Sequence, residues 1–92
     1  MAVAIGVGLI AAVVVASAEP PAGAAACSGC HPASTRVTSP VPRLAGLDRA
    51  AIVRAMQDFR SGTRAATVMD RIAKGFTDDE IQAIAAWFAA QK

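Results

Sequence analysis

The chain has 92 residues, with nine Lys and Arg against seven Asp and Glu for a formal charge of +2, and 54% of its residues are apolar while only 4% are aromatic. That length accommodates one small domain, and so slight a charge excess argues against a polybasic nucleic-acid binder or a protein held on anionic lipid by charge. Two cysteines and a single histidine are too few for a disulfide framework or a four-ligand structural zinc site.

Residues 1–16 contain only Met, Ala, Val, Ile, Gly and Leu, and Ala16-Ser17-Ala18 follows in the small-x-small form of a signal-peptidase site. The expectation is an export leader over residues 1–18, cleaved after Ala18, with residues 19–92 as the mature domain. No Lys or Arg precedes the apolar run, which departs from the usual leader pattern. The run falls short of the roughly 18–20 apolar residues a spanning helix needs, so a permanent anchor is disfavoured and an uncleaved leader is the alternative. All of the formal charge lies beyond this segment.

Glu19 to Ala22, with Pro20 and Pro21, reads as an exposed lead-in. Gly23 to Cys30 is predicted as a short Ala-rich helix, stopped by Pro32. It delivers Cys27-Ser28-Gly29-Cys30-His31, a C-x-x-C-H motif, which is the attachment signature of c-type haem. The spacing has a physical basis. Positions i, i+3 and i+4 of a helical turn share a face, so two thiols can form thioethers with the haem vinyl groups while the adjacent imidazole ligates iron. A thioredoxin-like redox site would need a βαβ context, and no strand pattern precedes the motif. Zinc would need further ligands, and a Cys27–Cys30 disulfide would staple only a tiny loop. One covalent haem is therefore expected. In so small a domain it would also complete the core, and the haem-free chain is expected to be largely unfolded.

Pro32 to Gly46 is rich in Pro, Ser and Thr without periodicity and reads as a loop around one side of the haem. Asp48 is a good N-cap for a helix whose Ile52, Val53, Met56 and Phe59 recur at helical spacing, closed by Ser61-Gly62. A short helix over 67–74 follows, carrying Met69 and ending at Gly75. Thr77-Asp78-Asp79-Glu80 then matches the capping box, with three acids at the positive end of the helix dipole. Ile81, Ile84, Ala85 and Phe88 form the buried stripe of this last helix, with Trp87 at its margin. No segment alternates as a strand does, so the fold class is all-α.

Iron held by His31 has a second axial position, and a Met thioether there makes a low-spin electron-transfer site and raises the potential. Met56 lies inside an apolar stripe and reads as a core filler. Met69 follows an irregular link and opens a short helix, so it is the expected axial ligand.

The chain resembles the class I cytochromes c, and within them the small cytochrome subunit of flavocytochrome c sulfide dehydrogenases. The residues that carry the resemblance are C-S-G-C-H at 27–31, P-R-L-A-G-L-D at 42–48, A-M-Q-D-F-R-S-G at 55–62 and T-V-M-D-R-I-A-K-G-F-T-D-D-E-I at 67–81. The resemblance implies three to four short helices wrapped around one haem, with the N- and C-terminal helices crossing near Phe88 and Trp87, and Met69 at the position of the axial methionine. Pro32 stands where the family often has Gly. Pro40 is the expected carbonyl partner of the His31 Nδ1–H, with Pro42 a close rival. The resemblance further implies a periplasmic one-electron carrier, not itself an enzyme. It would serve as the haem subunit of a sulfide-oxidising flavoprotein or, alternatively, as a diffusible cytochrome shuttling between respiratory complexes. A ligand-binding haem protein with an open distal site is a third reading, opposed by Met69. Arg43, Arg49, Arg54, Arg60, Arg64 and Arg71 are either a solvated face or a basic rim that steers an acidic partner.

Overall fold

The computed structural model describes residues 6, 8 and 19–91. The expected leader over 1–18 lies largely outside the described residues, as does its cleavage motif. Among the described residues the regular structure is helical throughout, and no helix is long and apolar enough to cross a membrane. The order is α1 (Ala24–Ser28), α2 (Arg49–Ser61), α3 (Met69–Ala73) and α4 (Asp78–Ala90).

Helices α2 and α4 begin and end where local chemistry dictates. The Asp48 side chain accepts the Ala51 N–H at the start of α2, satisfying a donor that the first helical turn leaves without a partner. Gly62 ends α2 in the left-handed region at φ 80°, and its N–H reaches the Asp58 and Phe59 carbonyls. At α4 the Thr77 hydroxyl accepts the Glu80 N–H at 3.2 Å, and the Glu80 carboxylate takes the Thr77 N–H at 2.9 Å. Both halves of the capping box are thus made, and Asp78, Asp79 and Glu80 sit at the positive end of the dipole.

The core is small. Ile52, Val53 and Met56 from α2 meet Ile81, Ile84, Ala85 and Phe88 from α4, with Ala24 of α1 and Ala73 of α3 completely buried at close approaches. Helix α2 packs on both α3 and α4, and α1 packs on α4. The α1–α4 pairing matches the implied crossing of the first and last helices. Phe88 is buried while Trp87 stands half-buried beside it, the two rings edge to face at 4.9 Å. Phe59, expected in the buried stripe of α2, is only half-buried, and Arg64 from the following link lies over its ring at 4.9 Å.

Two helices are shorter than the sequence predicts. Helix α1 does not include Gly23, which has φ 90° and is the residue before the helix. Its last regular residue is Ser28, although Cys30 and His31 continue the turn by donating to the Cys27 carbonyl at 3.2 and 2.9 Å. Helix α3 begins at Met69 instead of Thr67, because Val68 has φ −133° and offers no side-chain cap.

Candidate haem site

The Cys27–His31 segment forms one compact turn. The His31 N–H bonds the Cys27 carbonyl, so the imidazole follows the two thiols around a single helical circuit. Both cysteines are free, Cys27 half-buried and Cys30 exposed, and burial pushes the Cys27 thiol above its ordinary range. The His31 ring is fixed on one side by a 2.5 Å hydrogen bond between Nδ1 and the Pro42 carbonyl. With Nδ1 the donor, Nε2 has its lone pair available for a metal, the arrangement in which an outer partner orients a ligating histidine.

This bond corrects the expectation that favoured Pro40. The Val41 N–H donates to the Ser39 hydroxyl at 3.1 Å, a local turn centred on Pro40, and the carbonyl that meets the ring is that of Pro42.

Met69 and Met56 occupy different environments. Met56 is 7% exposed in the middle of α2, among core side chains. Met69 is the first residue of α3, half-buried, and flanked by Val68 and Ile72, both exposed. Cys27 and Met69 come from different ends of the domain, yet both pack against the same core cluster.

The residues present fit a haem. Val37 (56%), Leu47 (43%), Val68 (54%) and Ile72 (39%) are large apolar side chains left open to solvent on a domain whose own core is small. They belong to the loop after His31, to the approach to α2 and to the surroundings of Met69. A large apolar group held by the two thiols would supply the buried surface that this core lacks. No group of three or more His, Cys, Asp and Glu side chains is poised to hold a metal ion among the described residues.

Most of the arginines read as a rim are engaged within the chain. Arg43 Nε donates to the Ala33 carbonyl at 2.9 Å, and Arg49 donates to Gln82 at 3.0 Å. Arg60 pairs with Asp78 at 2.7 Å and donates to the Phe76 carbonyl at 3.1 Å, while Arg64 covers Phe59. Sequence reasoning missed the roles of Arg43, Arg49 and Arg60 because their partners are distant in the chain or are backbone carbonyls.

Comparison with known proteins agrees with this geometry. No family model matches the chain. The cytochrome subunit of sulfide dehydrogenase from Chlorobaculum tepidum is 42% identical over 62 residues, covering 67% of this chain and 56% of that protein. The chain is a relative of the c-type cytochromes. The thiosulfate dehydrogenase electron acceptor of Stutzerimonas stutzeri is 39% identical over 69 residues, 73% of this chain and 32% of the relative. Cytochrome c4 of Pseudomonas aeruginosa is 35% identical over 72 residues, 77% of this chain and 36% of the relative. The chain therefore spans little more than half of one cytochrome relative and about a third of the other two. Its fold, all-α among the described residues, is that of a class I cytochrome c.

Proposed function

We propose that this cytochrome is an exported one-electron carrier that receives electrons from the flavoprotein subunit of a sulfide dehydrogenase, in the periplasm, after removal of residues 1–18. In this reading Cys27 and Cys30 would anchor the haem through thioethers, and His31 Nε2 and the Met69 sulfur would ligate its iron. The observation that carries the cofactor assignment is the Cys27–His31 turn, with both thiols free and the imidazole already fixed through Nδ1. The partner assignment is supported by the 42% identity to a sulfide dehydrogenase cytochrome subunit.

Bound at this site, haem c supplies reversible storage of one electron. The chain's own residues set how readily that electron is held. The Pro42 carbonyl orients the His31 ring and raises its basicity, which favours the oxidised state, and the Met69 thioether pulls the potential upward. Ile52, Met56, Ile81 and Phe88 keep water from the core behind Cys27 and Met69. A two-electron donor such as sulfide must therefore be oxidised on a partner that releases electrons singly.

Purified alone, the holoprotein should accept and donate electrons but should not oxidise sulfide at a useful rate. Affinity capture from the native organism should recover a larger flavoprotein in stable association, and sulfide added to the mixture should reduce the cytochrome through it. Recovery of a monomer that a respiratory complex reduces rapidly would instead identify the diffusible shuttle.

A further inference from the structure

The loop between His31 and Leu44 has little of its own to keep it closed. Pro32, Pro40 and Pro42 lack a backbone donor, and no backbone–backbone hydrogen bond joins the two limbs of the loop. The Ser34 hydroxyl accepts the Arg36 N–H and the Ser39 hydroxyl accepts the Val41 N–H, but both contacts are local and cross nothing. Two side-chain contacts bridge the limbs. One is His31 Nδ1 to the Pro42 carbonyl; the other, next to it in register, is Arg43 Nε to the Ala33 carbonyl at 2.9 Å. Arg43 is half-buried and directly follows the residue whose carbonyl holds the imidazole.

We propose that Arg43 is a positioning residue for the iron-ligating histidine: by pinning the Ala33 carbonyl it closes the loop and keeps the Pro42 carbonyl on the His31 ring. The assignment rests on the reading of His31 as the haem ligand. A charged donor to a carbonyl is stronger than a neutral one and is directional. Its loss frees the two limbs to separate, and the exposed His31–Pro42 bond then competes with water.

The consequence for the potential has a sign that separates positioning from simple charge. A nearby cation favours the reduced, less positive state, so removing Arg43 for its charge alone lowers the potential. Weakening the Nδ1–H bond makes the imidazole a poorer donor to iron and raises it. Positioning therefore predicts a rise where electrostatics predicts a fall.

The test uses the holoprotein, with covalent haem verified in every sample so that failure of the haem reading registers separately. In Arg43→Gln, the His31 Nδ1 proton of the reduced protein should exchange with solvent roughly two- to tenfold faster, the range given by loss of one hydrogen bond, and the potential should rise. Arg43→Lys, which restores a charged donor, should return both readouts toward wild type. A second measurement needs no variant: in the wild-type protein the Arg43 Nε proton should be protected from exchange to about the same degree as the His31 Nδ1 proton. An Arg43 Nε proton that exchanges as in free arginine, or an Arg43→Gln protein with unchanged Nδ1–H exchange and a lowered potential, would overturn the proposal.

Discussion

Met69→Leu should abolish the near-infrared sulfur-to-iron band of the haem-loaded protein and lower its reduction potential, while Met56→Leu should change neither. The two residues differ in what surrounds them. Met56 is 7% exposed in a helix that already supplies Ile52 and Val53 to the core, so a volume-conserving replacement repacks at a cost on the order of 1 kcal/mol. Met69 starts α3 after an irregular link, half-buried between the exposed Val68 and Ile72. Leu at this position keeps the bulk and removes the thioether, so the iron loses the ligand that raises its potential. Absorption spectra and redox titration of both variants check the assignment. Loss of the band in Met56→Leu, with Met69→Leu unaffected, would transfer the ligand role to Met56.

Gly23→Ala should be the most destabilising single-methyl change in the domain. Gly23 adopts φ 90° immediately before α1, and a Cβ there would lie 2.5 Å from Phe76 Cε1, 3.0 Å from Cζ and 3.3 Å from Ile84 Cδ1. The left-handed backbone costs an L-residue roughly 1–2 kcal/mol, and forcing a methyl into a filled space about 1–3 kcal/mol. Phe76 has little freedom to yield, because Arg60 holds its carbonyl and its ring packs against the core. Since Gly23 launches the helix that bears Cys27, the displaced turn should also lower the yield of protein carrying covalent haem. Thermal or denaturant unfolding of whatever holoprotein forms measures the first effect, and haem stoichiometry the second. Wild-type stability in Gly23→Ala would show that the Phe76 contact is not maintained in solution.

The contrast between Gly23 and the two long helices shows which parts of this fold are written locally. The caps of α2 and α4 rest on side chains within three residues of the backbone groups they satisfy, so Asp48 and the Thr77–Glu80 box were legible without tertiary information. The buried stripe Ile81, Ile84, Ala85 and Phe88 followed from helical periodicity alone. Gly23 was placed inside the helix because nothing near it in sequence announces Phe76, the ring that leaves no room for a side chain. Ala24 and Ala73 were likewise silent, since small residues are buried by what approaches them and carry no apolar signal of their own. In the candidate site, the C-x-x-C-H motif named its donor set outright, whereas the choice between Pro40 and Pro42 depended on how the Ser39–Val41 turn directs the chain. Arg49, Arg54, Arg64 and Arg71 are exposed, as a solvated face requires, whereas the backbone acceptors that engage the half-buried Arg43 and Arg60 carry no signal in the sequence.

Covalent attachment of haem to Cys27 and Cys30 is open to direct measurement. The protein should be matured in a bacterium equipped for c-type haem attachment, denatured, extracted with acidified acetone and assayed as the pyridine haemochrome. Haem should stay with the polypeptide, in a ratio of one to one, with the spectrum of a group joined through two thioethers to Cys27 and Cys30. Extraction of all haem into the solvent, with two titratable thiols left on the chain, would contradict it.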